Sequence, residues 1–327
     1  MASKYRVGVI GHTGHGNYGH GLADVWRKVA DCELVGLADA DEAGRAKTAA
    51  QLKAPAAFAD YRELLDKTKP QIVAIGPRWP DQHRDMVLAC AERGIHIYLE
   101  KPLCRNLTEA DEMVAAIEKH NVKLALAHQT RYSPKLGVIR EMIDDGLLGT
   151  VLELRGRGKE DKRGGGEDLW VLGSHVFNLM QYFGGEPNWC FAEVLVGDRP
   201  ITKADVKPGN EALGPLAGDN LSAMYGLDGG AHAYFSSRRE AGIGASRFGL
   251  QIYGSKGIVE VLTGSLPEVW FLPDPNWSPG RSKKAWQPVS SQGLGQPEVL
   301  ADGGLDGGNL LAVYDLLEAI EEDRQPE

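Results

Sequence analysis

The sequence predicts an α/β fold: a doubly wound parallel sheet over residues 1–130, then an α+β domain over residues 131–327 with a mostly antiparallel open sheet. Three observations predict it. Short β-branched runs alternate with longer amphipathic segments through about residue 130, a glycine-rich stretch separates the first run from the first such segment, and later runs follow one another across glycine-bearing turns. A chain of 327 residues also exceeds the span of about 100 to 200 residues usual for one domain, so two cores are expected.

The elements follow in order. "RVGVIG" is the first strand and "HGLADVWRKVA" the first helix; "CELVGLAD" leads to a helical stretch through Leu52. "QIVAIG" precedes "DQHRDMVLACAERG", "IHIYLEKP" precedes "TEADEMVAAIEKHN", and "VKLALAH" closes the set. Apolar runs returning through helices are the pattern of buried parallel strands. Past Arg131, a helix around "KLGVIREMIDDG" leads to the strand "TVLELRGRG", and a further helix is predicted from Glu167 to Phe183. "NWCFAEVLVG", "NLSAMYGLDGGAHAYFSSR", "RFGLQIYGSKGIVEVLTG" and "EVWFLP" then read as antiparallel strands. Asp274 to Gly308 reads as a surface excursion, and a last helix begins at about Asn309.

Composition narrows the partners. With a net charge of -9 and no block of lysine or arginine, a nucleic acid is excluded as the main partner, because its phosphates would be repelled. No window approaches the roughly 18 apolar residues of a membrane span, and no export signal precedes the first strand. Cys32, Cys90, Cys104 and Cys190 are scattered without the paired spacing of zinc or redox motifs, as expected of a reduced cytoplasmic protein.

The stretch "GHTGHGNYGHG", residues 11–21, has two readings: a phosphate cradle, or a metal site of His12, His15 and His20. Gly14-His15-Gly16-Asn17-Tyr18-Gly19 fits G-x-G-x-x-G, while Gly11 turns the chain out of the strand. Glycines there let the backbone approach a pyrophosphate, and the following helix offers unpaired N–H groups. Asp39, 20 residues beyond Gly19, is where an acidic side chain accepts bonds from the adenosine ribose, or else caps the next helix. With Asp41 nearby, NAD is favoured over NADP, although Arg45 is placed to meet a phosphate. No cysteine or carboxylate stands beside the histidines in ligand spacing, so the cradle is preferred and no metal is expected. At least one of His15, Asn17 and Tyr18 is expected to touch the dinucleotide.

"YLEKPL" ends a predicted parallel strand with Glu100-Lys101-Pro102. Doubly wound sheets bind ligands at the carboxyl ends of their strands, so Lys101 is expected in the cofactor crevice, where a lysine can exchange a proton. Here the sequence resembles the Gfo/Idh/MocA oxidoreductases, which act mostly on sugars, inositols and related polyols with NAD(P). The resemblance rests on "EKP", on "IVAIGPRWPDQH" upstream and on "AHQTRYSP" downstream. It implies a Rossmann domain followed by an open-sheet domain that often makes dimers or tetramers. It also implies that Glu100 and Lys101 lie beside the nicotinamide, that Gly76, Pro77, His83 and Gln129 lie near the cofactor, and that Arg131 and Tyr132 lie near the substrate. The glycine-rich loop is several residues longer than the family's usual form. Beyond "EAIEEDRQPE" the family usually continues with another helix and a closing strand, so the member is either short or truncated.

The resemblance also implies a helix of the second domain with an aspartate four residues before a histidine. In "GGGEDLWVLGSHVFN", His175 fits the histidine, but Val171 stands in the aspartate's place and cannot exchange protons. Asp168, seven residues before His175, would return to the same face of a continuous helix about 10 Å along its axis. It either takes over the acid's task or stabilises the helix N-terminus; Glu167 shares both readings with poorer facing. His175 is either a catalytic partner of Lys101 or a packed helix histidine. Arg157, Lys159, Arg163 and Trp170 suit a polyhydroxylated or anionic ligand, and "RGRGKEDKRGGG" is either a lid over it or a solvated loop.

The expected function is NAD-dependent hydride transfer to or from a secondary hydroxyl of a sugar, inositol or related polyol, with Lys101 and His175 handling the proton. One alternative is a redox-neutral hydrolase or lyase that oxidises a sugar transiently on bound NAD. Another is a non-catalytic NAD-binding sensor.

Overall fold

The computed structural model describes residues 5–241 and 247–327; the lead-in Met1–Lys4 lies outside them. The chain divides into two compact units. Unit 1 comprises residues 1–129, 210–214 and 305–327; unit 2 comprises 130–209 and 215–304.

Unit 1 contains a six-stranded sheet of β1 (Tyr5–Ile10), β2 (Cys32–Ala38), β3 (Ala57–Phe58), β4 (Ile72–Ile75), β5 (His96–Leu99) and β6 (Leu124–Leu126). The order is β3-β2-β1-β4-β5-β6, with every pairing parallel. The succession of strands thus reverses its sense between β1 and β4, the switch point at which doubly wound sheets take their ligands. The expected runs form the strands because both faces are covered: Val7, Val9, Ile72, Val73, Ile75, Ile97 and Leu99 are fully buried. Helices α1 (Glu42–Leu52), α2 (Tyr61–Thr68), α3 (His83–Ala91) and α4 (Leu107–Lys119) make the returns. Asp41, Asp60 and Asn106 cap α1, α2 and α4 through their side chains. The cap of α1 is therefore Asp41, not Asp39. β3 and α2 are additions to the sequence reading.

The first helix is a correction. "HGLADVWRKVA" gives turns and a short 3-10 helix at Val25–Lys28. Gly19 and Gly21 take positive φ, and the carbonyl of His20 accepts a hydrogen bond from Asn309 Nδ2 instead of entering a helical ladder.

The boundary near residue 130 also changes at the far end. The last helix, Gly304–Glu321, was expected in the second domain, yet residues 305–327 belong to unit 1. The fully buried Asn309 explains this, since its Oδ1 accepts from Tyr98 Oη at 2.7 Å and from Gln129 Nε2 at 3.1 Å. Lys123 Nζ, almost fully buried, adds an ion pair to Asp323 at 2.8 Å.

Unit 2 is built on a ten-stranded, mostly antiparallel sheet. Its central strand Val151–Arg157 pairs parallel with His232–Arg238 and antiparallel with Gly249–Gly254. Pro187–Val196, Asn220–Leu227, Gly257–Leu262 and Val269–Leu272 follow the sequence reading. The excursion expected over 274–308 is only partly free, because Gln287–Ser290 and Gly293–Leu294 extend the sheet. The expected helix 167–183 is two, Gly166–Val171 and Gly173–Gly184, joined at Leu172 with φ -120°. The second lies on the sheet over Gly156, where a Cβ would come within 2.3 Å of Val176. Phe235, Leu154 and Ile252 form the core beneath it. No helix among the described residues is long and apolar enough to cross a membrane.

Candidate active site

The carboxyl edge of the unit 1 sheet carries the glycine-rich loop after β1, the turn after β4 and Glu100-Lys101 after β5. The loop folds on itself: His12 and Asn17 exchange backbone hydrogen bonds, and Asn17 Oδ1 accepts from Gly14 N. Positive φ at Gly14, Gly16, Asn17 and Gly19 makes this possible. Gly16 admits no side chain, since a Cβ would lie 2.6 Å from Arg78 N and 2.7 Å from Trp79 N. Gly19 is equally closed, its Cβ falling 2.5 Å from Gly76 O. The loop therefore lies in close backbone contact with the turn after β4 and against the Glu100 side chain at the end of β5.

Each loop histidine has its own partner. His12 Nδ1 meets Gln82 Oε1 at 2.9 Å, His15 Nε2 meets the Asp81 carboxylate at 2.9 Å, and His20 Nδ1 donates to Glu100 Oε1. The ring of His15 also lies against those of His12 and Trp79. Among the described residues no group of three or more His, Cys, Asp or Glu side chains is arranged to hold a metal. Tyr18 lays its ring on Gly11, where any Cβ would overlap it, and burial pushes its phenol pKa up.

Several of the expected site residues are held by internal partners. Asp39 is 1% exposed, and its oxygens accept from Thr13 N, Thr13 Oγ1 and Asp41 N at 2.7 to 3.2 Å. It anchors the loop. Arg45 donates to the Asp39 carbonyl at 2.7 Å. His83 is fully buried, with Nε2 2.7 Å from Pro77 O and Nδ1 3.0 Å from Pro102 O, so it staples the β4 and β5 turns together. Burial pulls its pKa below the ordinary imidazole value. Gln129 is engaged by Asn309, and Gly76 is closed by the backbone of Tyr18.

Glu100 is fully buried and Lys101 is 6% exposed, at the end of β5 as expected. Glu100 Oε2 has no hydrogen-bond partner among the described residues. This orphaned oxygen, with the open space at Gly14 where a Cβ would meet nothing within 4 Å, suits a polar ligand such as a dinucleotide lying along the loop. The helix N-terminus expected to face its pyrophosphate is absent, so the backbone N–H groups of the loop would hold it instead.

In unit 2, Asp168 is fully buried, and its Oδ2 accepts from Ser237 Oγ at 2.5 Å and Glu160 N at 3.2 Å. It braces the loop before its helix. The break at Leu172 removes the continuous helix on which Asp168 was expected to share a face with His175. Arg163 pairs with Asp161 at 2.6 Å, Lys159 Nζ lies 4.0 Å from the same carboxylate, and the Arg163 guanidinium holds Asp161 down to about 2. Arg157, the other basic residue of this stretch, instead meets Ser236 Oγ at 3.0 Å and lies 3.9 Å from Glu160. Arg131 stacks on Tyr182 at 3.8 Å, and Tyr132 follows, half-buried. Trp170 and His175 are half-buried, and the His175 ring stands edge-on to Phe248 at 6.2 Å. Glu167 is likewise half-buried.

Sequence reasoning missed the roles of Thr13, His20 and Asn309. His20 was weighed only as a metal ligand and Asn309 only as a helix start, because their partners lie 80 or more residues away.

Residues 5–128 match the model of an oxidoreductase family with an NAD-binding Rossmann fold, and residues 138–260 match the GFO/IDH/MocA C-terminal domain. The levoglucosan dehydrogenase of Pseudarthrobacter phenanthrenivorans is 24% identical over 229 residues, covering 61% of this chain and 57% of that protein. The myo-inositol 2-dehydrogenase of Thermotoga maritima is 25% identical over 261 residues, covering 77% of this chain and 73% of that protein. The chain spans just over half the length of several curated relatives it matches. A solved levoglucosan dehydrogenase in complex with NADH and L-sorbose shares the fold, with a TM-score of 0.76 at 20% identity over 99% of this chain and 91% of that one. With both domain models matched in order along the sequence, the chain belongs to the Gfo/Idh/MocA oxidoreductase family.

Proposed function

We propose that the protein is an NAD-dependent dehydrogenase moving hydride between the nicotinamide and a secondary hydroxyl of a sugar, inositol or related polyol. The observation that carries this reading is a nearly buried Lys101 beside a fully buried Glu100 at the carboxyl end of β5, in a Rossmann unit of this family. Bound NAD supplies the hydride acceptor. Lys101 in its neutral form takes the hydroxyl proton. His175 is assigned the second proton-handling position on the family pattern, with Arg131, Tyr132 and Trp170 toward the substrate. The dehydrogenases named for levoglucosan and myo-inositol among its relatives support a polyol.

Assembly into a homo-oligomer through the unit 2 sheet is part of the same reading. Phe191, Met224 and Tyr234 form one cross-strand row, and Phe191 and Tyr234 are exposed with Trp189 nearby. Cys190 is exposed and Cys32, Cys90 and Cys104 are buried, an arrangement of scattered thiols that suits a reducing compartment such as the cytoplasm.

Incubation with NAD and a panel of sugars, inositols and glycosides tests the activity. NADH accumulation with at least one polyol is expected. Product without NADH would instead favour the redox-neutral chemistry, and no turnover with tight NAD binding would favour a sensor.

A further inference from the structure

We propose that Tyr18 is a gate on the cofactor crevice, its ring filling the switch point and turning away when the dinucleotide binds; the inference rests on NAD lying along the glycine-rich loop, as the proposed activity requires. Gly11 directly follows β1 and Gly76 directly follows β4, the two strands between which the succession reverses its sense. Tyr18 lies on both. Its ring covers Gly11, where any Cβ would overlap it, and a Cβ on Gly76 would stand 3.0 to 3.1 Å from its backbone. A doubly wound sheet receives the pyrophosphate of a dinucleotide at this crevice, and a phenol ring and a phosphate cannot share one volume. From Gly11 the side chain reaches far enough toward β2 for its hydroxyl to feel the charges of Asp39 and Arg45. It thus runs from the end of β4, over β1, toward the acid expected to meet the adenosine ribose.

Two features make this a gate rather than fixed packing. The backbone on either side of the ring is held: Asn17 exchanges both backbone hydrogen bonds with His12, Gly16 is closed by the backbone of Arg78 and Trp79, and Gly19 is closed by Gly76 O. Rotation about the side-chain bonds is therefore the motion left to Tyr18. The ring itself is held less firmly. Tyr18 Oη is buried near Thr48 and Asp39, yet it makes no hydrogen bond of adequate geometry to either or to any other described residue. A buried hydroxyl without a partner destabilises the arrangement that contains it. Turning outward returns the hydroxyl to water and uncovers Gly11, whose missing side chain then lets a pyrophosphate approach the backbone. The dinucleotide selects this minor form, so its association is slowed in proportion to the closed population. The surplus length of the loop thus supplies the crevice with an occupant of its own.

The test follows the Tyr18 ring by fluorine NMR in the full chain labelled with fluorotyrosine, its resonance identified by its loss in Tyr18→Phe. NAD is titrated, and its binding is measured separately by calorimetry. Saturation is expected to move that resonance and to raise its isotope shift between light and heavy water, as a ring leaving a buried place requires. Stopped-flow association of NAD should be about tenfold or more faster in Tyr18→Ala, the factor that a closed population of about nine-tenths imposes. Tyr18→Phe, which keeps the ring, should stay well below Tyr18→Ala. An isotope shift that stays or falls with NAD bound overturns the proposal, and so does association no faster in a folded Tyr18→Ala. The wild-type titration decides the matter even if Tyr18→Ala does not fold. NADH formation from a polyol with a static Tyr18 would sink the gate and leave the dehydrogenase reading standing, whereas a ring displaced by NAD in a protein inert toward polyols would do the reverse. Absence of NAD binding in wild type and Tyr18→Ala alike overturns both.

Discussion

Thr13 donates both its backbone amide, at 3.0 Å, and its hydroxyl, at 2.7 Å, to the carboxylate of Asp39. The acid expected to recognise a ribose is therefore also the post to which the glycine-rich loop is tied. Replacing Thr13 by Val keeps the shape and removes the hydroxyl donor. Stability should fall by about 1–3 kcal/mol, the usual cost of leaving a buried acceptor short of a partner, as measured by urea unfolding. NAD affinity should hold or improve, because one Asp39 oxygen becomes available; a large loss of affinity with unchanged stability would contradict the anchoring role.

Gly14 and Gly16 differ in surroundings though both have positive φ, 79° and 84°. Gly14→Ala meets open space and should cost about 1–2 kcal/mol, the penalty of a left-handed backbone. Gly16→Ala drives a methyl into the Arg78 and Trp79 backbone and should lower the thermal midpoint further while also weakening NAD binding. Equal midpoints for the two variants would mean that the loop does not cross the β4 turn as described.

Burial lowers the pKa of His83, and burial followed by the charge of Lys123 lowers that of His96. The unfolded chain then binds more protons than the folded one just below the ordinary imidazole value of about 6.5, so stability is full above that pH and is lost as pH falls. Denaturant midpoints measured from about pH 8 down to about pH 5 should decline across this window. His83→Gln, which cannot titrate there, should flatten the slope.

Asp168→Asn separates a brace from an acid. The buried contacts to Ser237 and Glu160 predict a stability loss of about 1–3 kcal/mol with kcat within a few-fold of wild type. A loss of about 10²-fold or more in kcat at unchanged stability would restore the catalytic reading.

Asn309→Ala removes the amide that joins the last helix to Tyr98, Gln129 and the His20 carbonyl. Several buried groups lose partners at once, so the cost should exceed the roughly 1–3 kcal/mol of a single one. Hydrogen exchange should show faster exchange in Ala312–Leu317 than at the centre of β4.

By itself the sequence determined the strands of the parallel sheet except β3, the main antiparallel runs of the second unit and the position of Glu100-Lys101 at a strand's end. Those features follow from local periodicity and from the buried faces it implies, and "RVGVIG", "QIVAIG" and "YLEKPL" carry them within a few residues. Tertiary structure alone decided which polar groups meet. Asp39, His83 and Asp168 were read as site residues from spacing and resemblance, and each is also buried against a donor or acceptor that periodicity cannot foresee. The same holds for the last helix, whose place in unit 1 depends on Asn309 reaching Tyr98, 211 residues earlier. A buried polar atom must find a partner, and in a folded chain that partner is set by three-dimensional proximity rather than by spacing along the sequence.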